Sequence, residues 1–321
     1  MKPGMIINNK YQLIDLIDEN EKQYIFKAIM LRNEQPCAIK IVKNKWLKDE
    51  RVVSKMIKEI ENIATLRHKN LVKIIDVDLY NDIFYIAEEW VNGKRLDYYI
   101  NKENLLSPEK AILIVKKIAY LLEYAMKNGI KYRSLKISNI MISDNFDVKI
   151  LSFNLPRRFG IYGKKLSKNR GTDPDIFFLG VLLYSLLTGV FPIKKRDFII
   201  TDIKLMKYLE IDSDWKLDNL NLSEAVKNTL EELIWKSVTR ETNSRISGFY
   251  DFFTYIDRTF EYLNKERGDT TAWEVIETIK PSKEEFWRES DKTVNHDTKY
   301  SGTLSYALFI AALLLAVYWL I

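Results

Sequence analysis

The sequence predicts an α+β protein: a small β-rich lobe, then a larger helical lobe, with one transmembrane helix behind them. Three observations carry this. Short β-rich runs dominate up to about Trp90, the apolar period becomes helical after Gly93, and no charged residue occurs from Gly302 to Ile321. Strands read as short β-branched or aromatic runs and helices as a 3.6-residue apolar period. A run of strands followed by a run of helices is the α+β order. The expected boundaries are 1–92 for the β-rich lobe, 93–267 for the helical lobe, 268–301 for a juxtamembrane linker and 302–321 for the membrane helix.

In the first lobe the strand runs are Tyr11–Ile17, Tyr24–Ile29, Cys37–Val42 and Ile83–Ala87, with one helical stretch over Val52–Leu66. In the second, Ser107-Pro108-Glu109 combines an N-cap, a proline at the first helical position and an early acid, and Asn128-Gly129 supplies the stop. Asp175–Leu187 is apolar nearly all round, the pattern of a buried central helix. Ser223 begins a helix ending near Val238, and Gly248–Glu266 reads as a last amphipathic one.

The final segment is long enough for a bilayer. Its residues rise about 1.5 Å each and so span roughly 30 Å. Tyr306, Tyr318 and Trp319 lie near its ends, where aromatic rings prefer the interface. With Ile321 last and no apolar signal-like stretch in Met1–Lys10, the expectation is a tail anchor with the folded part in the cytoplasm. The linker carries two apolar clusters, Trp273/Val275/Ile276/Ile279 and Phe286/Trp287, read as docking back on the domain or as a partner-binding strip.

Composition narrows the function. Apolar residues make up 47% and charged residues 29% of 321, as in ordinary globular chains. The single cysteine, Cys37, excludes an intrachain disulfide, and two histidines leave little room for histidine catalysis or a Cys/His metal site. The net charge of +6 is mostly spread among alternating Lys and Asp/Glu, as on a solvated surface, and no nucleic-acid partner is expected.

Several ordered motifs then resemble the protein kinase superfamily from about Tyr11 to Phe260. Cys37-Ala38-Ile39-Lys40 resembles the V-A-I-K strand, and Glu59 precedes His68-Lys69-Asn70-Leu71-Val72-Lys73-Ile74, which looks like the stretch after the kinase αC helix. Glu88-Glu89-Trp90-Val91-Asn92-Gly93 is similar to the hinge between lobes. Tyr132-Arg133-Ser134-Leu135-Lys136-Ile137-Ser138-Asn139 aligns with H-R-D-L-x-x-x-N, and Ser152-Phe153-Asn154 stands where D-F-G belongs. Asp175 to Gly180 resembles the start of the central helix, and Asn243-Ser244-Arg245-Ile246 the late arginine. The resemblance is to bacterial Ser/Thr kinases of eukaryotic type and implies a two-lobed kinase-like fold.

It also implies a site from which the chemistry is missing. Ser134 stands at the catalytic-base position, and a neutral hydroxyl forfeits general-base help of roughly 10²–10⁴ in rate, or about 3–5 kcal/mol. Ser152 stands at the D-F-G aspartate, leaving Asn139 at most as a metal ligand. The three glycines of the phosphate loop are Asp18, Asn20 and Gln23, and Asp18, Glu19 and Glu21 would repel phosphates. No A-P-E is visible, so the usual glutamate partner of Arg245 is missing. No catalytic residue is intact by this reading.

The resemblance keeps Lys40, Glu59, Lys136 and Asn139, and places Ile17, Ile25, Ala38, Glu89, Val91 and Met141 around the nucleotide pocket. By register Glu59 is the partner of Lys40, with Glu61 as the fallback, and Lys40–Glu59 reads either as a structural pin or as residual ligand binding. Glu88 falls at the gatekeeper position, where an acid competes with nucleotide for Lys40. No cofactor is required; ATP binding would be weak or Mg-independent. One local charge cluster stands out: Arg157, Arg158, Lys164, Lys165, Lys168 and Arg170, with no acid between Pro156 and Gly171. It reads as a solvated loop or, with Lys194, Lys195 and Arg196, as a face toward anionic lipid or an acidic partner.

The expectation is therefore a membrane-tethered pseudokinase that works as a scaffold or allosteric regulator through protein partners. The alternatives are a weak or unconventional Ser/Thr kinase that transfers phosphate from ATP, and a Mg-independent nucleotide sensor.

Overall fold

The computed structural model describes residues 1–44, 47, 50–129, 135, 137–151, 174–191, 217, 220–239, 241 and 243–267. These fall into two compact units. One is built from Met1–Glu59 and Lys73–Trp90, the other from Ile60–Val72 and the described part of Val91–Lys280. The expected membrane helix, the linker, and the basic residues from Arg157 to Arg170 with Lys194, Lys195 and Arg196 lie outside the described residues. Among those described, no helix is long and apolar enough to cross a membrane.

The first unit is a six-stranded antiparallel sheet, ordered β1 (Ile6–Ile7), β2 (Tyr11–Glu19), β3 (Gln23–Met30), β4 (Pro36–Val42), β6 (Ile83–Glu89), β5 (Ile74–Tyr80). Alternate residues share a face. Leu13, Phe26, Ala28, Cys37, Ile39, Tyr85 and Ala87 form the apolar face, each 0% exposed. The opposite face carries Ile25, Ala38, Lys40, Ile86 and Glu88, since Ile25 pairs with Lys40, Lys40 with Ile86, and Ala38 with Glu88.

A polar network joins the two ends of this sheet order. Asp76 Oδ2 on β5 accepts from Lys10 Nζ at 2.9 Å, Tyr11 OH at 3.1 Å and Tyr85 OH at 3.0 Å. Asn8 Nδ2, in the β1–β2 turn, donates to Asp78 Oδ2 at 3.1 Å and Tyr85 OH at 2.9 Å. The sheet is thus curled, with its first strands brought round to the far edge strand. After β4 comes α1 (Glu50–Ala64), which spans the two units and buries Val53, Met56, Ile60 and Ala64 on one face.

The second unit holds α2 (Pro108–Lys127), α3 (Pro174–Thr188), α4 (Glu224–Val238) and α5 (Phe249–Arg267), with a three-stranded sheet of β7 (Gly93–Arg95), β8 (Ile140–Ser143) and β9 (Val148–Ile150). The caps read from the sequence are present: Ser107 Oγ accepts from Lys110 N, Ser223 Oγ accepts from Val226 N, and α2 ends at Asn128. On α3, Ile176, Phe178, Leu179, Leu182, Leu183 and Leu186 are all 0% exposed, which explains its unbroken apolar sequence. Gly180 lets α3 approach α4 closely, because a Cβ there would stand 2.5 Å from Ser237 Cβ. An ion pair between buried Lys116 and half-buried Asp257 joins α2 to α5, beside Tyr120 stacked on Phe253 at 4.3 Å.

Candidate functional site

Within the first unit the side chain that chemistry would use is Lys40. The register puts it on the sheet face away from the apolar core, directly opposite Ile25 and Ile86. Glu88 is its diagonal neighbour on β6, within reach of a long side chain. Lys40 Nζ lies 2.8 Å from Glu88 Oε1, and the two side chains are only 4% and 1% exposed. In this contact each charge answers the other, which offsets part of the cost of taking both out of water.

The β2–β3 hairpin ends above this ladder in the turn Asn20–Lys22. Asn20 Oδ1 accepts from Lys22 N at 2.9 Å and Gln23 N at 3.1 Å, and Asn20 N donates to Gln23 O at 3.1 Å. The backbone N–H groups at 22 and 23, which a glycine-rich loop would offer to a ligand, are taken up by the asparagine side chain. This is an Asx-type turn. Beside it Lys43 Nζ is 2.6 Å from Glu19 Oε1 and 4.3 Å from the Tyr24 ring centroid. The hydrogen bond to Glu19 raises the lysine above its usual range. The sequence treated Asn20 only as a missing glycine. Its signal was the side chain of asparagine itself, which favours such turns.

The other expected first-unit residues are less engaged. Ile17 is 53% exposed; Ile25, Ala38 and Glu89 are half-buried. Glu89 N donates to Lys73 O at 3.0 Å, fixing the end of β6.

In the second unit Val91 is buried and Met141, on β8, is half-buried. Gly93 follows with φ +153, and a Cβ there would stand 2.1 Å from Ile142 O, so the strand pairing at this point requires glycine. Asn139 ends a short 3-10 turn, Ile137–Asn139, that runs directly into β8, and it is 8% exposed. Its carbonyl accepts from Leu151 N at 2.7 Å, which holds the residue before Ser152 against the start of β8.

The stretch after α1 supports the same frame. Leu71 bridges Ile150 in parallel, Val72 N donates to Ile150 O at 3.0 Å, and Ile150 N donates to Asn70 O at 2.7 Å. Asn70 Nδ2 donates to Val148 O at 2.8 Å. His68 accepts from Asn70 N through Nδ1 at 3.1 Å and packs on Tyr124 with centroids 5.3 Å apart. Burial, with Lys69 and Lys149 nearby, lowers the imidazole to about 4. Ser134, Lys136, Ser152 and the side chain of Glu59 lie outside the described residues.

A curled antiparallel sheet bearing a buried lysine, followed by a helical unit with a β8–β9 hairpin beside Asn139, is the two-lobed architecture of protein kinases. The model of the protein kinase domain matches residues 19–254, and the chain belongs to this family. Its relatives include bacterial serine/threonine kinases. It is 29% identical over 259 residues to a probable serine/threonine-protein kinase of Clostridium perfringens, covering 75% of this chain and 37% of that one. It is 24% identical to the serine/threonine-protein kinase PrkC of Bacillus subtilis, covering 82% and 43%. The chain thus spans less than half the length of these curated relatives. The crystal structure of the Mycobacterium tuberculosis PknI kinase domain superposes with a TM-score of 0.58 at 14% identity, covering 81% of this chain and 99% of that one, which shows the fold.

Proposed function

We propose that this member of the serine/threonine kinase family is a membrane-tethered pseudokinase, acting as a scaffold or allosteric regulator through protein contacts. The observation that carries the reading is that serine stands at both carboxylate positions, Ser134 in the catalytic loop and Ser152 in the D-F-G stretch. A neutral hydroxyl takes up no proton from a substrate at pH 7. For Mg²⁺ the available donors are the Asn139 amide and the Ser152 hydroxyl. Neither carries charge, and Mg²⁺ sheds water reluctantly, so this donor set does not fit a phosphate-bridging ion.

The β2–β3 turn supports the same reading, since Asn20 takes up two of its amides and three acids, Asp18, Glu19 and Glu21, stand in or next to it, Glu19 paired with Lys43. What the chain keeps is a folding scaffold: the buried α3, the stitched β9 and the curled sheet. Such a scaffold serves binding.

The retained Lys40 and Asn139, together with relatives named as kinases, favour a second reading, a weak phosphotransferase. A third, a nucleotide sensor that works without Mg²⁺, needs only Lys40. Thermal shift of the full chain with ATP, with and without Mg²⁺, separates them. No shift in either condition supports the scaffold. A Mg²⁺-dependent shift supports the kinase, and a metal-independent shift supports the sensor.

The tether is proposed from residues 302–321, which carry no charge over a length that spans a bilayer. The chain should stay with membranes through alkaline carbonate extraction, and deletion of 302–321 should release it. Release of the intact chain would remove the tether from the proposal. The basic residues from Arg157 to Arg170 are proposed to face anionic lipid or an acidic partner, each charge near a cytoplasmic leaflet contributing about 1 kcal/mol.

A further inference from the structure

The chain that leaves α4 folds back on the last turn of that helix: Thr239 N donates to Trp235 O at 2.8 Å, and Ile246 N donates to Lys236 O at 2.8 Å. Arg245 is thereby fixed beside the helix end, and its Nη1 is buried with no hydrogen-bond partner among the described residues. The two acids nearest to it in sequence, Glu241 and Asp251, are turned to serines instead. Glu241 Oε2 accepts from Ser244 Oγ at 3.3 Å, and Asp251 Oδ2 accepts from Ser247 Oγ and, at 3.3 Å, from Ser247 N. On the same last turn of α4, Trp235 stands 45% exposed.

A guanidinium keeps its charge at any working pH, so a nitrogen of it held out of water without an acceptor is costly. A carboxylate relieves that cost best, because its two oxygens match the planar fork with two parallel hydrogen bonds. Arg245 as a whole is half-buried, so a small turn of its side chain brings the fork to an incoming acid. The indole beside the same turn offers apolar area, and tryptophan and arginine are the side chains that most often carry the binding energy of protein interfaces.

We propose that the end of α4 is a docking point for a partner protein, which supplies a carboxylate to the Arg245 guanidinium and an apolar side chain to the Trp235 indole. This rests on the reading of the chain as a scaffold and gives the partner a chemistry: an acidic residue next to an aromatic or aliphatic one.

The test presents the full chain in mild detergent to a displayed library of random peptides and measures the selected peptides by fluorescence polarisation. Peptides with Asp or Glu beside an apolar residue are expected to be enriched. R245Q is expected to weaken them about 30-fold, equivalent to about 2 kcal/mol. Replacing the peptide's acid by its amide should cost the wild type as much and cost R245Q nothing further. W235A should weaken binding about tenfold. R245K keeps the charge but not the fork, so a smaller loss is expected, and it decides the matter together with W235A if R245Q does not fold. The proposal is overturned if no acidic peptide is selected, or if binding is the same in R245K and W235A as in the wild type. Phosphate transfer by the wild type overturns the pseudokinase reading and leaves this contact in place, whereas peptides that ignore Arg245 beside an inert wild type overturn the contact alone.

Discussion

Replacing His68 by asparagine should abolish one specific acid sensitivity of the second unit. The imidazole accepts from Asn70 N, rests on Tyr124 and is held at about 4 by burial, with Lys69 and Lys149 adding to the effect. Only the neutral ring can accept that hydrogen bond, so protonation is resisted in the folded chain but not in the unfolded one. With a folded value below the unfolded value of about 6.5, there is no penalty above that pH. As pH falls the unfolded state takes up the proton first, and stability is lost progressively down to about 4. Over that window the loss is about 2 kcal/mol by pH 5 and about 3 kcal/mol by pH 4. Asparagine places an amide oxygen near the Nδ1 position and keeps the acceptor without titrating. Urea denaturation of the wild type and H68N at pH 7, 6 and 5, followed by circular dichroism, gives the comparison. The wild type should lose about 2 kcal/mol more than H68N between pH 7 and 5. Equal losses in the two would refute the assignment of that sensitivity to His68.

Two further predictions concern the first unit. K40M alone should destabilise the chain by about 3–5 kcal/mol because it breaks one side of the buried Lys40–Glu88 pair, whereas K40M/E88M should fall within about 1 kcal/mol of the wild type; additive losses in a double-mutant cycle of denaturation midpoints would contradict a coupled pair. N20A should lower stability by about 1 kcal/mol, because the amides of Lys22 and Gln23 lose their shared acceptor; an unchanged melting curve would mean that the turn does not depend on it.

Much of this fold was legible because its signals are local. Ser107-Pro108 and Ser223 announce helices through residues that satisfy the first free amides, and both caps are present. The uniformly apolar Asp175–Leu187 is legible as a buried helix for the same reason. The strand β5 was not read, since Asp76 and Asp78 look like solvent-facing residues. Their partners, Asn8, Lys10 and Tyr11, are some 65 to 70 positions away, and only the curling of the sheet brings them together. The strands β7 and β9 are three residues each, too short to show a period. At the site, Lys40 and Asn139 were visible through motif spacing, and the position of Glu88 pointed to competition for Lys40. The role of Asn20 was not visible, because a substitution read as a loss of glycine conceals what the new side chain can accept.

The central claim is that a kinase scaffold persists here without a proton acceptor or a charged metal ligand. Its most direct test is radiolabelled phosphate transfer from ATP in Mg²⁺, by the purified full chain, to itself and to a generic protein substrate. The account predicts no transfer above that of K40M. Metal-dependent labelling of the wild type that disappears in K40M would contradict it.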